Sequence, residues 1–396
     1  MSKNIKTNAN KRINLKRVCK EIIILAEQIM EQQLLYKIGI TMIPGIGDIT
    51  AKKLVAYCGG VEAVFREKLK GLMKVPGIGQ TLAETIARND VLSRAEKEIK
   101  YIQKNNIKPL FYLDEGYPER LKHCEDSPVM LYFNGEADFN IPRIVAIVGT
   151  RKATEYGKKI CHSLVEGLAS LNVMVVSGLA YGIDIHAHRA ALEMGLPTVG
   201  VLGHGLNMLY PQTHKATAEK MMKNGGLLTD FSSDSKFIPE NFPKRNRIVA
   251  GLSDAVIIVE AAKEGGALIT ADIANSYNRD VFAFPGRVGD QYSEGCNNFI
   301  KTNRAALIQS AKDLVYIMGW EEKKEKKNQN IQKQLFVELS NEEKLIVDFL
   351  NTSESVSVDM LSLKLNLPAS KTAAVLLNLE FMGVIRCLPG KIYQLA

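Results

Sequence analysis

From about residue 141 onward, the sequence repeats a short β-branched apolar run, a glycine-containing turn and a helical stretch. The runs lie at 144–149, 173–178, 197–203, 226–230, 254–260, 280–286 and 305–308. Near-continuous apolar strands that alternate with helices are typical of a parallel sheet with helices on both faces. The pattern predicts an α/β fold with a doubly wound, Rossmann-like sheet. Ligands of such sheets bind at the carboxyl ends of the strands, so the glycine turns mark the expected binding edge.

Smaller regions flank the predicted sheet domain, which we assign to residues 111–318. Residues 1–110 have apolar positions at helical spacing and predict a helical domain. The charged stretch within 319–335 has too little apolar content to order itself and predicts a linker. Residues 336–396 predict three helices and a two-stranded wing that turns at Pro389-Gly390, which is the order of a winged helix.

Charge is distributed unevenly along the chain. The net charge is +8, but residues 1–110 contain 20 Lys and Arg against 10 Asp and Glu, which leaves 31 against 33 for the remainder. The excess basic charge therefore lies in the helical domain. This block favours contact with a polyanion, and a solvated basic face without a partner is the alternative.

The composition also excludes several classes of protein. With 46% hydrophobic residues the chain is long enough for a sizeable core. No apolar run approaches the roughly 20 residues of a membrane-spanning helix, and no secretory signal is present, so we expect a cytoplasmic protein without membrane contact. The six cysteines show no C-x-x-C spacing, and they therefore indicate neither a disulfide framework nor a zinc site.

Two near-identical turns in the helical domain, I-P-G-I-G at 43–47 and V-P-G-I-G at 75–79, lie 32 residues apart. They are typical of helix-hairpin-helix modules, whose backbone N–H groups bind a DNA phosphate at the start of the next helix. Turns that only pack helices together remain an alternative. The predicted accessory contacts to the DNA backbone are Gly45, Gly47, Lys52, Lys53, Lys74, Gly77 and Gly79.

The turn VGTRKATEYG at 148–157 leaves a buried strand and enters a helix. Gly149 and Thr150 are expected to present backbone amides to an anion, and Arg151 can hold it with a planar guanidinium. The turn is neither G-x-G-x-x-G nor G-x-x-x-x-G-K-[ST], so dinucleotide and ATP sites are disfavoured and no cofactor is expected.

Residues Phe242-Pro243-Lys244-Arg245-Asn246-Arg247 precede the predicted helix IVAGL. Three cations, an amide and an aromatic ring suit a strip that grips the backbone and stacks on the bases of a single strand. A solvated loop with one cation paired to a carboxylate is the alternative.

The segment from Ser177 to His188 suggests two enzymatic sites, and neither fits. Ser177-Gly178 lacks the G-x-S-x-G frame of a nucleophile elbow. Asp184, His186 and His188 alternate, whereas ligands on one helix face are three or four residues apart. No metal site or catalytic residue is therefore assigned.

Several of the segments described above belong to an ordered series of sequence blocks in which the chain resembles the DprA/Smf family. The matching blocks are Tyr117-Pro118, Asp126-Ser127-Pro128, VAIVGTRKATEYG, VVSGLAYGID, Leu209-Tyr210-Pro211, FPKRNRIVAGLS, ALITA, VFAFPG and Gly295-Cys296-Asn297. The resemblance implies an extended Rossmann-like core, an N-terminal helix-hairpin-helix (SAM-like) domain and a C-terminal winged helix. It also implies a homodimer that binds single-stranded DNA without sequence preference, protects incoming DNA and helps load the RecA recombinase in natural transformation.

The resemblance assigns nine of the ten residues of the predicted DNA pocket. The tenth is Asn246, the amide side chain of the segment 242–247. The predicted site residues are Gly149, Thr150, Arg151, Ser177, Gly178, Phe242, Lys244, Arg245, Asn246 and Arg247. The chain departs from the family at Gly265-Gly266, where Ser-Gly is usual, at Arg304-Ala305, where Gly-Ala is usual, and at Tyr181, where Arg is common. The last difference removes one expected cation.

Three functional classes compete. A non-enzymatic DNA-binding mediator is favoured. A nucleotide-binding enzyme of the lysine-decarboxylase-like or N-glycosidase type is the alternative, with Glu260 as the one carboxylate at a strand end that fits. A transcription factor is disfavoured because the predicted recognition helix carries Lys371 as its only cation. We expect the winged helix to have a protein-contact or regulatory role, and non-specific contact with DNA is the alternative.

Overall fold

The computed structural model describes residues 30–88, 90–321, 339–352, 355–388 and 390–395. The first 29 residues of the predicted helical domain, most of the predicted linker and Pro389 of the predicted wing turn lie outside them. The chain forms two compact units, Met1–Glu321 and Glu322–Ala396. Within the described residues, no helix combines the length and the apolar character needed to cross a bilayer.

The described part of the first unit starts with six helices. A helix α1 covers residues 30–41. It is followed by α2 (Asp48–Cys58), α3 (Val61–Arg66), α4 (Leu69–Leu72), α5 (Gln80–Ala87) and α6 (Leu92–Lys104). The two hairpin turns immediately precede α2 and α5. Gly45 (φ 79°) and Gly77 (φ 89°) adopt left-handed conformations there, which explains glycine at both positions.

A nine-stranded sheet follows, in the order β1-β2-β6-β5-β4-β3-β7-β8-β9. Its strands are β1 (Lys108–Phe111), β2 (Met130–Glu136), β3 (Ile144–Val148), β4 (Met174–Ser177), β5 (Thr198–Val201), β6 (Gly225–Thr229), β7 (Ala255–Ile258), β8 (Asp280–Ala283) and β9 (Ala306–Leu307). From β6 to β9 all neighbouring strands are parallel. Strands β1 and β2 add an antiparallel extension. The predicted doubly wound sheet is confirmed, and each predicted run overlaps one strand.

Helices cover both faces of the sheet. They are α7 (Glu119–Lys122), α8 (Glu155–Leu168), α9 (Ile183–Glu193), α10 (Lys215–Met221), α11 (Asn241–Leu252), α12 (Gly266–Ser276), α13 (Glu294–Lys301) and α14 (Ala311–Ile317). All five residues of β3 are buried because this central strand has an apolar cluster on each face. After β3 the chain turns to β4 on one side, and β7 lies on the other. The carboxyl ends of these strands therefore border the crevice in which doubly wound folds bind ligands.

The helical region packs directly onto the antiparallel extension of the sheet. Phe111, Val129, Met130 and Tyr132 share one buried apolar cluster with residues of α2 to α6. The first hairpin is also fixed by polar contacts, because Asp48 accepts a hydrogen bond from the Val129 amide at 2.8 Å. The helices and the sheet thus form one compact unit.

The second unit is small. It contains α15 (Asn341–Asn351), α16 (Val358–Lys364) and α17 (Ala369–Phe381), and a sheet ordered β10-β12-β11 with β10 (Val356–Ser357), β11 (Ile385–Leu388) and β12 (Ile392–Leu395). Ser340 and Glu343 cap α15 reciprocally. This arrangement confirms the predicted winged helix.

Candidate nucleic-acid interface

A cavity of about 840 Å³ lies at the carboxyl edge of the central strands. The turns after β3 and β4 form one wall, and the starts of α11 and α12 form the other. Seven of the ten predicted pocket residues line this cavity. Gly149, Thr150, Arg151, Gly178, Phe242, Arg245 and Asn246 line the cavity, whereas Ser177, Lys244 and Arg247 do not.

The turn after β3 places Arg151 at the rim. Gly149 is required because a Cβ there would overlap the side chain of Ile183. The Thr150 amide donates to the Glu260 carbonyl at 2.7 Å, so it is not available to an anion in this conformation. The exposed Arg151 guanidinium lies 6.0 Å from the centroid of the Phe242 ring and has no ion-pair partner among the described residues. Of this turn, the Arg151 side chain is available to a phosphate, and the exposed Lys152 beside it also lines the cavity.

The turn after β4 is held by its own helix. Asp184, in the first turn of α9, accepts hydrogen bonds from the amides of Gly178 (3.1 Å) and Ala180 (3.4 Å). The Ser177 hydroxyl is fully buried and donates to the Ile147 carbonyl at 2.6 Å, so it joins two strands. Asp184, the residue weighed above as a metal ligand, therefore has a structural role in this turn.

Arg245 forms the floor of the cavity. Its guanidinium donates to the Val201 carbonyl and lies so close to Gly178 that a Cβ there would overlap it. The residue is only 5% exposed, and its Nε is buried without a hydrogen-bond partner. Burial lowers the pKa of Arg245 and the nearby Asp184 carboxylate opposes this, but an arginine remains charged. Arg245 therefore gives the cavity floor a fixed positive charge, which favours an anion in the cavity.

Aromatic side chains line the opposite wall. The rings of Tyr210 and Phe237 lie 5.2 Å apart, and Phe237 lies 5.8 Å from Phe242. Tyr210 and Phe237 are about half exposed, so their faces are accessible at the mouth. The Tyr210 amide donates to Nε2 of His204 at 3.2 Å. Burial lowers the pKa of His204, which keeps the ring neutral and able to accept this bond.

Sequence reasoning missed Tyr210 and Phe237 as site residues. Tyr210 belongs to a block that carried the family resemblance, and that block was the one available signal. Phe237 lies in the irregular segment between β6 and α11, where no periodic pattern indicates orientation.

The predicted cation and aromatic strip is helical, which corrects the expectation of a segment that precedes the helix. Helix α11 begins at Asn241, so the strip forms its first two turns. At about 3.6 residues per turn, such a segment cannot present every side chain to one ligand. Phe242, Arg245 and Asn246 face the cavity, whereas Lys244 and Arg247 line a neighbouring groove.

Arg247 is part of a polar junction with the helical region. Its Nη2 lies 2.8 Å from Asp48 Oδ2 and 2.8 Å from Asp230 Oδ2, and its Nη1 donates to the Asp126 carbonyl. One cation paired to carboxylates was the alternative stated for the strip, and Arg247 has this arrangement. In this conformation Arg247 links α2 to the sheet domain, and removal of one partner would leave a buried charge uncompensated.

The two hairpin turns have different surroundings. Near the first, Lys52 donates to the Glu125 carbonyl (3.0 Å) and to the Ser127 hydroxyl (2.7 Å). At the second, Gly77 and Gly79 are exposed with open space where a Cβ would lie, and Lys74 beside them is exposed. Lys53, Gly45 and Gly47 are also exposed. None of these accessory residues lines the main cavity.

Glu260, the candidate carboxylate of an enzyme, is committed to structural bonds. Its two oxygens accept hydrogen bonds from the amide and the hydroxyl of Thr154, which caps α8. It is buried and does not line the cavity. In the part of the chain that the structure describes, no group of three His, Cys, Asp or Glu side chains has metal-binding geometry.

Comparisons with known proteins agree with this architecture. Residues 108–319 match the family described as DNA recombination-mediator protein A, and residues 334–391 match the DprA winged helix domain. Protein Smf of Synechocystis is 33% identical over 303 residues, which are 72% of this chain and 72% of that protein. DNA processing protein DprA of Streptococcus pneumoniae is 38% identical over 204 residues, 51% of this chain and 71% of that protein.

A solved structure extends the similarity to the fold. The X-ray structure of DNA processing protein A from Streptococcus pneumoniae has a TM-score of 0.63 at 31% identity, over 71% of this chain and 97% of that chain. The chain therefore belongs to the DNA recombination-mediator protein A family, the DprA/Smf proteins.

Proposed function

We propose that the protein binds single-stranded DNA, without sequence preference, in the cavity at the carboxyl edge of the sheet. The observation that carries the proposal is Arg245, a buried cation that lines the cavity. Arg151 at the rim supplies a second cation, and the start of α12 adds the partial positive charge of a helix N-terminus. These groups fit a phosphate in the cavity and a second one at its rim.

The aromatic wall favours a single strand over a duplex. Tyr210, Phe237 and Phe242 offer rings on which unpaired bases can stack, and bases inside a duplex are not accessible to such rings. Stacking tolerates every base because each has a π-face, which matches binding without sequence preference.

Within this function, family membership supports a role as a recombination mediator in natural transformation. The protein would protect incoming DNA, help load the RecA recombinase onto it and act in the cytoplasm. A homodimer would suit this role. The edge strand β9 exposes Leu307, and Tyr316 and Ile317 are exposed on α14, the next helix in the chain, so these apolar side chains are available to a second copy.

A nucleotide-cleaving enzyme remains the alternative function, and we propose that the protein is not an enzyme. The support is the commitment of Glu260 to Thr154, because a carboxylate whose two oxygens are bonded to the capping residue of a helix is not free to attack a substrate. Release of a free base from mononucleotides by the purified protein, lost in Glu260→Gln, would favour the enzyme.

The test of DNA binding compares oligo-dT with a duplex of equal length over a series of salt concentrations. We expect tighter binding to oligo-dT, with an affinity that falls steeply as salt increases because phosphate contacts release counterions. Equal affinity for both forms at moderate salt would contradict the proposal.

A further inference from the structure

A second groove, of about 740 Å³, lies beside the main cavity. Ile49 of α2 forms one side, and Pro243 of α11 with Ile269 and Ile273 of α12 form the other. Ile49 is 38% exposed and Ile269 is 44% exposed. The groove is therefore an accessible apolar surface between the first hairpin and the sheet domain.

The groove borders the cavity. Pro243 and Ile269 line both spaces, so a chain that leaves the cavity past these residues enters the groove directly. The helical geometry of α11 gives both spaces a basic side chain. Arg245 points to the cavity and Lys244 to the groove.

The charges of the groove leave Lys244 free. Asp48 is paired with Arg247 and accepts from the Val129 amide, and Asp126 accepts a hydrogen bond from the Tyr277 hydroxyl. Lys244 is exposed and has no hydrogen-bond or ion-pair partner among the residues described. An apolar floor with one free cation at its edge fits a base and its phosphate, whereas an apolar protein helix would leave Lys244 unpaired.

We propose that this groove is a second subsite for the same DNA single strand, in which a base packs between Ile49 and Ile269 while Lys244 contacts a phosphate. The inference rests on the proposed function of the main cavity. In this proposal the first hairpin contacts the DNA strand through Ile49, an apolar side chain of α2. The sequence had predicted a contact through the backbone N–H groups of the hairpin turn. The occupied length of strand then extends beyond the sheet domain.

The experiment measures the affinity of the full chain for oligo-dT strands of increasing length, starting at the shortest strand that binds. Ile49→Glu places a charge in the groove. The matched control is Tyr57→Glu, which adds the same charge to an exposed position of the same helix outside the groove. Thermal unfolding of both variants verifies that they are folded.

For the natural protein and Tyr57→Glu, we expect affinity to rise as the strand becomes long enough to reach the groove. Ile49→Glu should bind the shortest strand normally and lose the rise, a loss of about tenfold for long strands, as expected for one base contact. The variant Ile49→Trp gives an independent measurement, because it places a fluorescent side chain in the groove and Trp320 is the only tryptophan of the natural sequence. Its fluorescence should be quenched by long strands and not by the shortest one.

The outcomes separate the two proposals. If the natural protein binds no oligo-dT, the proposed function fails, and the subsite fails with it. If Ile49→Glu matches Tyr57→Glu at every length and Ile49→Trp shows no length-dependent quenching, the subsite is overturned while the cavity keeps its function. A changed sedimentation mass for Ile49→Glu without a length effect would assign the groove to a contact between copies and overturn the subsite.

Discussion

Arginines that are close in sequence or in space have different environments in this protein. Arg245 is buried on the cavity floor, Arg151 is exposed at the rim, and Arg247 is held between two carboxylates. A buried guanidinium is fixed by its neighbours, whereas an exposed one is free to meet a ligand. The three residues are therefore expected to respond differently to substitution.

Arg151→Ala is expected to weaken oligo-dT binding by about 1 to 3 kcal/mol, because a charge-assisted bidentate contact to a phosphate is lost. Arg151→Lys should lose less because it keeps the charge without the planar fork. Fluorescence anisotropy titration measures the affinity, and thermal unfolding should show almost unchanged stability because the side chain has no ion-pair partner in the described structure. Normal binding with lowered stability would refute a pocket role for Arg151.

A buried histidine next to the site couples stability to pH. Thr198 donates its hydroxyl proton to the Val175 carbonyl, so His188 must donate from Nδ1 to the Thr198 oxygen, at 2.7 Å. Its Nε2 is then unprotonated, buried and without a partner. Burial lowers the pKa of His188 to about 3, so the folded protein resists protonation.

In the unfolded chain the His188 ring takes up a proton near pH 6.5, whereas in the folded protein it stays neutral down to about pH 3. The contribution of His188 to the free energy of unfolding is therefore complete above pH 6.5 and is lost as the pH falls towards 3. Acidification from about pH 6.5 to about pH 5 is expected to reduce the free energy of unfolding by about 2 kcal/mol through this residue. Urea unfolding at both pH values measures the loss, which should be smaller in His188→Gln. The partly exposed His162→Gln is the control and should keep the full loss; an equal loss in all three proteins would contradict the assignment.

At the scale of elements, the helical region supports the loop that carries Phe237. Glu98 of α6 accepts hydrogen bonds from the Ser233 amide through both carboxylate oxygens, at 3.0 Å, and from its hydroxyl. Arg94 of the same helix forms a two-nitrogen contact with Asp234, at 2.9 and 2.8 Å. Helix α6 therefore fixes the segment between β6 and α11, from which Phe237 reaches the cavity.

Glu98→Gln is expected to weaken oligo-dT binding because the amide keeps only one acceptor oxygen for Ser233, which loosens the loop. Phe237→Ala should cost about 1 to 3 kcal/mol, the usual range for one stacked base. If Glu98 acts through Phe237, the double variant should bind no more weakly than Phe237→Ala, which a double-mutant cycle measures. Glu96→Ala, exposed on the same helix, is the control, and fully additive losses would contradict the coupling.

The elements that were predictable from sequence are those with a strong local pattern. Strands β3 to β8 were identified because parallel strands buried on both faces are apolar throughout. The exposed edge strand β9 was identified by the apolar run at 305–308 alone. Strands β1 and β2 were not assigned, since β1 is a short edge strand that contains Pro109. The cavity residues Gly149 and Arg151 were placed by the turn after β3, whereas the positions of Tyr210, Phe237 and Arg247 depend on contacts between segments distant in sequence.

For the whole molecule, the helical region cannot be treated as a detachable basic module. Its removal would expose Phe111, Met130 and Tyr132, which are buried against it. Loss of DNA binding after deletion of residues 1–110 would therefore report a damaged sheet domain as much as a lost charge. Substitution of exposed residues such as Lys53 and Lys74 tests the charge alone.

The winged-helix unit, in contrast, can be tested separately from the first unit. Its α17 has Lys371 as its only cation, and Lys371 is paired with Glu342, while Leu377 and Phe381 are exposed on the same helix. Such a surface has little to offer a DNA backbone, which requires free cations or amides. The chain also divides into two compact units at residue 321.

A chain that ends at Glu321 is therefore expected to fold and to bind oligo-dT within about twofold of the full protein, with the same salt dependence, because every phosphate contact proposed above lies in the first unit. Titrations at several salt concentrations measure both quantities, and thermal unfolding compares the shortened chain with the full one. In the full chain, Lys371→Ala removes the one cation of α17 and should likewise leave binding unchanged. A loss of affinity and a shallower salt dependence in both the shortened chain and Lys371→Ala would show that the winged helix contacts DNA. A loss of affinity in the shortened chain alone would indicate that the second unit affects DNA binding by the first unit without using Lys371.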